Sequence, residues 1–252
     1  MRMTSNTIFI TGGSSGIGRG LAEAFHELGN QVIIAGRRED RLRAICAANS
    51  GMRYYVMDVT NPASIREIAA DVILEFPALN CVFNNAGVQR PVNFSSGDEF
   101  DEKAMLDQID TNLIGVIRVA AAFLPHLARQ RNATLVNVSS GLAFVPLARF
   151  PVYCASKAAV HSFTMSLRHQ MKDSGVHIVE VIPPWVETEL GGPAAPPVRP
   201  GGPAPMPLVA FIAETMKELA TDADEVAIGD AKDLAAAAGA ESLKRVFAGM
   251  NR

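Results

Sequence analysis

Charge, cysteine and aromatic rings are all sparse in this sequence, and each shortage removes a class of protein. Charged residues make up 19% of the 252 positions and balance to a formal −3. Lys and Arg are scattered rather than clustered, so no positive field awaits a phosphate backbone and nucleic acid is not an expected partner. The three cysteines, Cys46, Cys81 and Cys154, are odd in number and lack CxxC spacing, which argues against a disulfide framework or a zinc site and fits a reducing cytoplasm. Five histidines, His26, His126, His161, His169 and His177, show no metal-ligand spacing either. No apolar run approaches the ~18 residues of a membrane span. MRMTSN passes directly into the strand-like TIFIT, leaving no room for a signal peptide. A soluble cytoplasmic protein without a metal is expected.

What the sequence does hold is a series of short, apolar, β-rich segments: TIFIT from Thr7, VIIAG from Val32, RYYVM from Arg53, LNCVF from Leu79, TLVNV from Thr134 and HIVEV from His177. They alternate with helical patterns beginning near Ile17, Arg38, Pro62, Met105 and Tyr153, with Asn61 and Pro62 as a cap and first-turn pair. Strands apolar on both faces, in a βαβ rhythm, predict an α/β fold of the Rossmann type: a doubly wound parallel sheet whose ligands bind beyond the strand C-termini. A chain of this length can bury one sizeable core, so residues 1–252 are expected to form a single domain. One segment breaks the rhythm. GGPAAPPVRPGGPAPMP, from Gly191 to Pro207, is too rich in Pro and Gly for the interior of either element and is either a lid over substrate or a passive connector. Beyond it, Leu208 to Leu219 reads as an amphipathic helix, Glu225 to Ile228 as a short strand, and Asp230 to Gly249 as a terminal helix interrupted at Gly239.

Between the first strand and the first helix, TGGSSGIG sets Gly12, Gly16 and Gly18 where missing side chains let backbone amides approach a pyrophosphate at the positive helix end. Ser14, Ser15 and Ile17 complete that turn as expected cofactor contacts. Asp58 and Val59 end the third strand, and Asn84, Asn85, Ala86 and Gly87 the fourth, so three strand ends converge on one crevice. The second strand ends in Gly36, Arg37 and Arg38, without the carboxylate that would meet the ribose hydroxyl of NAD. Two guanidiniums there can clamp the extra phosphate of NADP, with Arg37 the nearer contact; the alternative is that both merely start the next helix in water. Further on, Tyr153 has Lys157 four residues later on the same helical face and Ser140 thirteen residues before it. A cation so placed favours phenolate, lowering the usual Tyr value of ~10 by ~1 to 3 units and suiting Tyr153 to proton transfer at a carbonyl.

Taken together, TGGSSGIG, NNAG, Asn112, the pair Ser139 and Ser140, and YCASK resemble the short-chain dehydrogenase/reductase family in order and spacing, over about residues 5 to 190. Within it, SGLAFVPLARFPVYCASKAAVHSF and PPWVET resemble the oxidoreductases encoded beside lipoteichoic-acid D-alanylation genes. The resemblance implies Tyr153 as acid in reduction and base in oxidation. It implies Lys157 holding the nicotinamide ribose, Ser140 bonding the substrate oxygen, and Asn112 positioning a water that links Lys157 to solvent. Asp58, Val59, Asn85, Ala86, Gly87, Pro183, Val186 and Thr188 join the expected cofactor contacts. One departure stands out: Pro184 occupies the place where the family usually has Gly, which predicts an altered backbone path beside the nicotinamide. Phe144, Phe150 and Trp185 suggest apolar pocket walls, with core packing as the alternative for Trp185, while Gln89, Arg90 and Arg149 suit a polar or anionic substrate group. The chain end lacks the Gly-rich finish of tetrameric relatives, so a homodimer through the helices near Asn112 and Tyr153 is expected. The implied activity is NADP-dependent carbonyl reduction or alcohol oxidation of a small molecule. The alternative is a redox-sensing NADP-binding regulator with little turnover.

Overall fold

Along β1 (Thr7–Thr11), Ile8 and Ile10 enter one apolar cluster and Phe9 enters another. This period of two places successive side chains on opposite faces of the sheet, and all three are fully buried. A strand with no wet face needs helices on both sides. The computed structural model of the protein describes residues 1–94, 101–192, 204–237 and 249, and it supplies those two layers.

Seven strands lie in one sheet in the order β3-β2-β1-β4-β5-β6-β7, every pair parallel. The remaining strands are β2 (Gln31–Gly36), β3 (Arg53–Val56), β4 (Leu79–Asn84), β5 (Ala133–Val138), β6 (Val176–Ile182) and β7 (Glu225–Ala227). One face is covered by α1 (Gly16–Glu27), α2 (Glu39–Ala48) and α7 (Leu208–Leu219), through Leu21, Phe25, Leu42 and Phe211. The other is covered by α3 (Pro62–Glu75), α5 (Gly115–Leu127) and α6 (Pro151–Gln170), where Phe123 packs 4.9 Å from Phe9 between ring centroids. Burying such a side chain contributes about 1.5 to 3 kcal/mol, which is why the apolar segments, not the loops, decide the layering. Strand order reverses between β1 and β4, and at that switch point the segments leaving both strands open a crevice.

Two expectations need correction, and a third extends beyond the described residues. Asp58 and Val59 lie beyond β3, which ends at Val56. The helix expected near Met105 begins earlier, as α4 (Glu102–Ile109), and is not continuous: a π turn, Asp110–Ile114, separates it from α5. The terminal helix expected from Asp230 appears as α8 (Ala231–Ala236); the break at Gly239 lies outside the described residues. Of the Pro- and Gly-rich segment, residues 193–203 also lie outside them, so the lid expectation falls largely there. Its two flanks meet, however: Val186 pairs with Met206 in a parallel bridge, Met206 N–H donates to the Trp185 carbonyl at 2.8 Å and Glu187 N–H to the Met206 carbonyl at 2.9 Å.

Candidate active site

The Gly-rich turn is shaped by what lies against it. Gly12 adopts φ +68°, and a Cβ there would sit 2.9 Å from both Ala86 Cα and Asn85 Nδ2. A methyl at Gly18 would meet the Gly12 carbonyl oxygen at 2.5 Å. Only hydrogen fits at either place. Thr11, fully within the fold, stitches the turn to the fourth strand's end: its hydroxyl donates to the Phe83 carbonyl and accepts from the N–H groups of Asn85 and Ala86 at 3.0 and 3.1 Å. Asn85 Nδ2 in turn donates to the Thr11 carbonyl at 2.9 Å. Thr11 thus belongs to the site, although its type at a strand end gave it no more than the role of opening the turn.

At the end of β2 the two arginines part. Arg38, the N-cap of α2, donates to Ser14 Oγ at 3.0 Å and to Ser15 Oγ at 2.5 Å. Arg37, the expected nearer contact, is exposed. Arg41, unmarked in the sequence, joins Arg38 because one helical turn brings residue 41 beside residue 38: both reach the carboxylate of Glu189. Thr188 packs beside Gly16, where a Cβ would lie 3.3 Å from the threonine side chain.

Ser140, Tyr153 and Lys157 meet at the far side of the same crevice, and all three are buried. Ser140 follows β5 and caps a short 3-10 turn, Gly141–Ala143, accepting from Leu142 N–H at 3.1 Å. Pro151 at the first turn of α6 presets that helix for the segment carrying Tyr153 and Lys157. Lys157 Nζ lies 5.8 Å from the Tyr153 ring centroid and donates to the Val138 carbonyl at 2.8 Å. A Cβ on Gly87 would stand 3.5 Å from Asn112 Oδ1 and 3.6 Å from Lys157 Nζ, so this glycine keeps the space between them open. Asn112 sits in the π turn, a wide turn often found at functional sites. Its amide accepts from Val88 N–H at 2.8 Å and donates to the Val88 carbonyl at 2.9 Å and Ser156 Oγ at 3.0 Å.

The electrostatics correct the expectation for the phenol. Burial pushes Tyr153 up to about 12, with the hydrogen bond to Ser140 working in the other direction. Burial also lowers Lys157 to about 8, while the Glu180 carboxylate pulls it back up. Desolvation disfavours both charged forms, and the ammonium donates to the Val138 carbonyl.

Behind Lys157 runs a feature the sequence hides. Asn84, Asn137, Glu180 and Glu225 face one another in register across β4 to β7. Asn84 Nδ2 donates to Asn137 Oδ1, and Asn137 Nδ2 to Thr164 of α6, both at 2.9 Å; His161 Nδ1 lies 2.8 Å from Glu180 Oε2. Ligand-type atoms of His161, Glu180 and Glu225 come within 4.8 Å of one another, a cluster that histidine spacing did not reveal. Arg168 lies 3.5 Å from Glu225, so ion pairing already meets the exposed carboxylate.

Of the suggested pocket walls, Phe150 is fully buried against Tyr153 and Cys154 and belongs to the core. Phe144 meets His161 in a tilted ring contact at 4.5 Å between centroids, Trp185 is half-buried outside the core clusters, and Arg149 lies over Phe150. Gln89 is half-buried near the crevice, and Arg90 is exposed. At the expected departure, Pro183 is buried, and its carbonyl accepts from Gly141 N–H at 2.9 Å. Pro184 therefore follows a backbone pinned beside Ser140. Val186 is buried.

The short chain dehydrogenase family model matches residues 6–197. An uncharacterized oxidoreductase, DltE, of Bacillus subtilis (strain 168) is 44% identical over 190 residues, 75% of each chain. A short chain dehydrogenase from Burkholderia cenocepacia J2315, solved in complex with NADP, has a TM-score of 0.84 at 25% identity and covers 99% of both chains. One from Streptomyces avermitilis gives 0.82 at 27%, covering 99% of this chain and 96% of its own. Since the family model spans most of the sequence, and a relative 44% identical covers three quarters of it, the chain belongs to the short-chain dehydrogenase family of oxidoreductases.

Proposed function

We propose that the protein is an NADP-dependent oxidoreductase that moves a hydride between nicotinamide and a carbonyl or alcohol of a small molecule. Residues 1–252 would act as one unit, in the cytoplasm, with Tyr153 as general acid in reduction and base in oxidation. One observation carries this reading: Ser140, Tyr153 and Lys157 share a buried corner of the crevice that the Gly-rich turn opens. The site fits a dinucleotide because Gly12 and Gly18 let the turn pack tightly against the end of the fourth strand, because Gly87 leaves the space between Asn112 and Lys157 open, and because Arg38 offers donors just after β2. The Burkholderia relative's complex with NADP supports the cofactor class.

When bound, the cofactor supplies the hydride. Ser140 and Tyr153 donate hydrogen bonds to the substrate oxygen as negative charge grows there, and Tyr153 passes its proton to that oxygen. A phenol near 12 carries that proton at neutral pH, which is the form reduction needs. Lys157 holds the nicotinamide ribose and offsets the charge left on Tyr153, and Asn112 positions a water linking Lys157 to solvent. Gly16, Ile17, Asp58 and Val59 would help hold the cofactor. Asn85, Ala86, Pro183, Val186 and Thr188 border the remainder. Exposed Ile117 on α5 and Met165 on α6 support a homodimer through those helices.

NADPH consumption followed by absorbance across ketones and aldehydes tests the reading. Turnover in the wild type, with Tyr153→Phe retaining NADPH binding and losing nearly all of it, is the expected result. Cofactor binding without turnover across a broad panel would instead favour a sensor.

A further inference from the structure

Glu189 is an acidic residue standing in an anion site. Both of its oxygens contact Arg41 NH1, at 2.7 and 2.6 Å, and one lies 3.1 Å from Arg38 NH1. Arg38 meanwhile reaches Ser14 and Ser15 of the Gly-rich turn. Two guanidiniums therefore converge on one carboxylate, which they hold below the usual Glu value. The carboxylate arrives from the segment after β6, 148 residues further along the chain than Arg41. Its neighbour Thr188 lies against Gly16, and Leu190 N–H donates to the Thr188 hydroxyl at 3.2 Å.

We infer that Glu189 is a specificity-determining competitor: its carboxylate occupies the guanidinium pair that the ribose 2′-phosphate of NADP must engage, and NADP binding displaces it. This rests on the proposed NADP preference. A phosphate monoester carries more charge and more acceptor oxygens than a carboxylate, so it wins the arginines, but only after the existing pairs break. NAD has no group at that position and breaks nothing. Glu189 therefore weakens NADP selectively, and by reciprocity NADP frees the Thr188–Leu190 stretch from the adenosine end of the crevice. All the partners are exposed, so the effect is modest: about two- to tenfold in affinity at low salt, fading as salt screens the pairs.

Calorimetric titration of NADP+ and NAD+ into wild type, Glu189→Gln and Arg38→Ala tests this. Glu189→Gln is expected to bind NADP+ about two- to tenfold more tightly and NAD+ as wild type does, with the NADP+ gain shrinking at high salt. Unchanged NADP+ affinity in Glu189→Gln, or an equal change for both cofactors, overturns the competition. Arg38→Ala separates the underlying reading: a selective loss of NADP+ upholds the phosphate clamp even if Glu189 proves inert, and equal losses remove both. Because Glu189 is exposed, thermal melts of Glu189→Gln should match wild type. A lowered melting temperature would be answered by Glu189→Ala, which must show the same cofactor selectivity if the inference holds.

Discussion

Tyr153 and Lys157 are shifted in opposite directions by one cause, the removal of water. The phenol rises to about 12 and the ammonium falls to about 8, so at neutral pH each still carries its proton. Carbonyl reduction needs both protons in place. As pH rises, Lys157 loses its proton first, and kcat/KM, which reports the free enzyme, should fall about tenfold per unit above about 8. Tyr153 adds no further fall until about 12. A pH profile of ketone reduction checks this, and a level rate through pH 10 would show that Lys157 stays protonated or is not needed. YCASK was enough to pair the two residues on one helix face, but the sign of the phenol's shift depends on burial that no local spacing encodes.

Caps and turns fix where the helices begin. Asn61 caps α3 by accepting from Ala63 and Ser64 N–H groups, with Pro62 at the first helical position, as the dipeptide predicts. Asn61→Ala should cost about 1 kcal/mol, measured by urea unfolding, because two amides at the helix start lose their acceptor. The strands were legible because both faces are apolar and each run is short. The π turn at Asp110–Ile114 was not, since its residues, DTNLI, carry no breaker and would continue an α-helix. Its place is set by packing: Asn112 spends its amide on Val88 and Ser156, which tie the turn to the fourth strand's exit and to α6.

Across the whole molecule, the polar row from Asn84 to Glu225 couples four strands to α6 behind the lysine. Glu180 is fully buried, and one of its oxygens has no hydrogen-bond partner, so His161 is its direct contact. Removing His161 takes away a hydrogen-bond partner from a carboxyl group inside the fold. His161→Ala should therefore destabilise the protein by about 1 to 3 kcal/mol in urea unfolding, beyond an ordinary surface substitution. A change within about 0.5 kcal/mol would mean that solvent reaches Glu180.

The alternation of strands and helices, the Gly-rich turn and the pairing of Tyr153 with Lys157 followed from the sequence alone, because each depends on periodicity or spacing within a few turns of chain, whereas the choice of Ser140 came from the family resemblance. Which arginine faces the turn, where Glu189 lands, the sign of the Tyr153 shift and the row behind Lys157 were decided only by tertiary structure. Those features depend on which distant segments meet and how completely they exclude water, and a single glutamate in an apolar strand looks the same whether its partner is solvent or a histidine on the helix above.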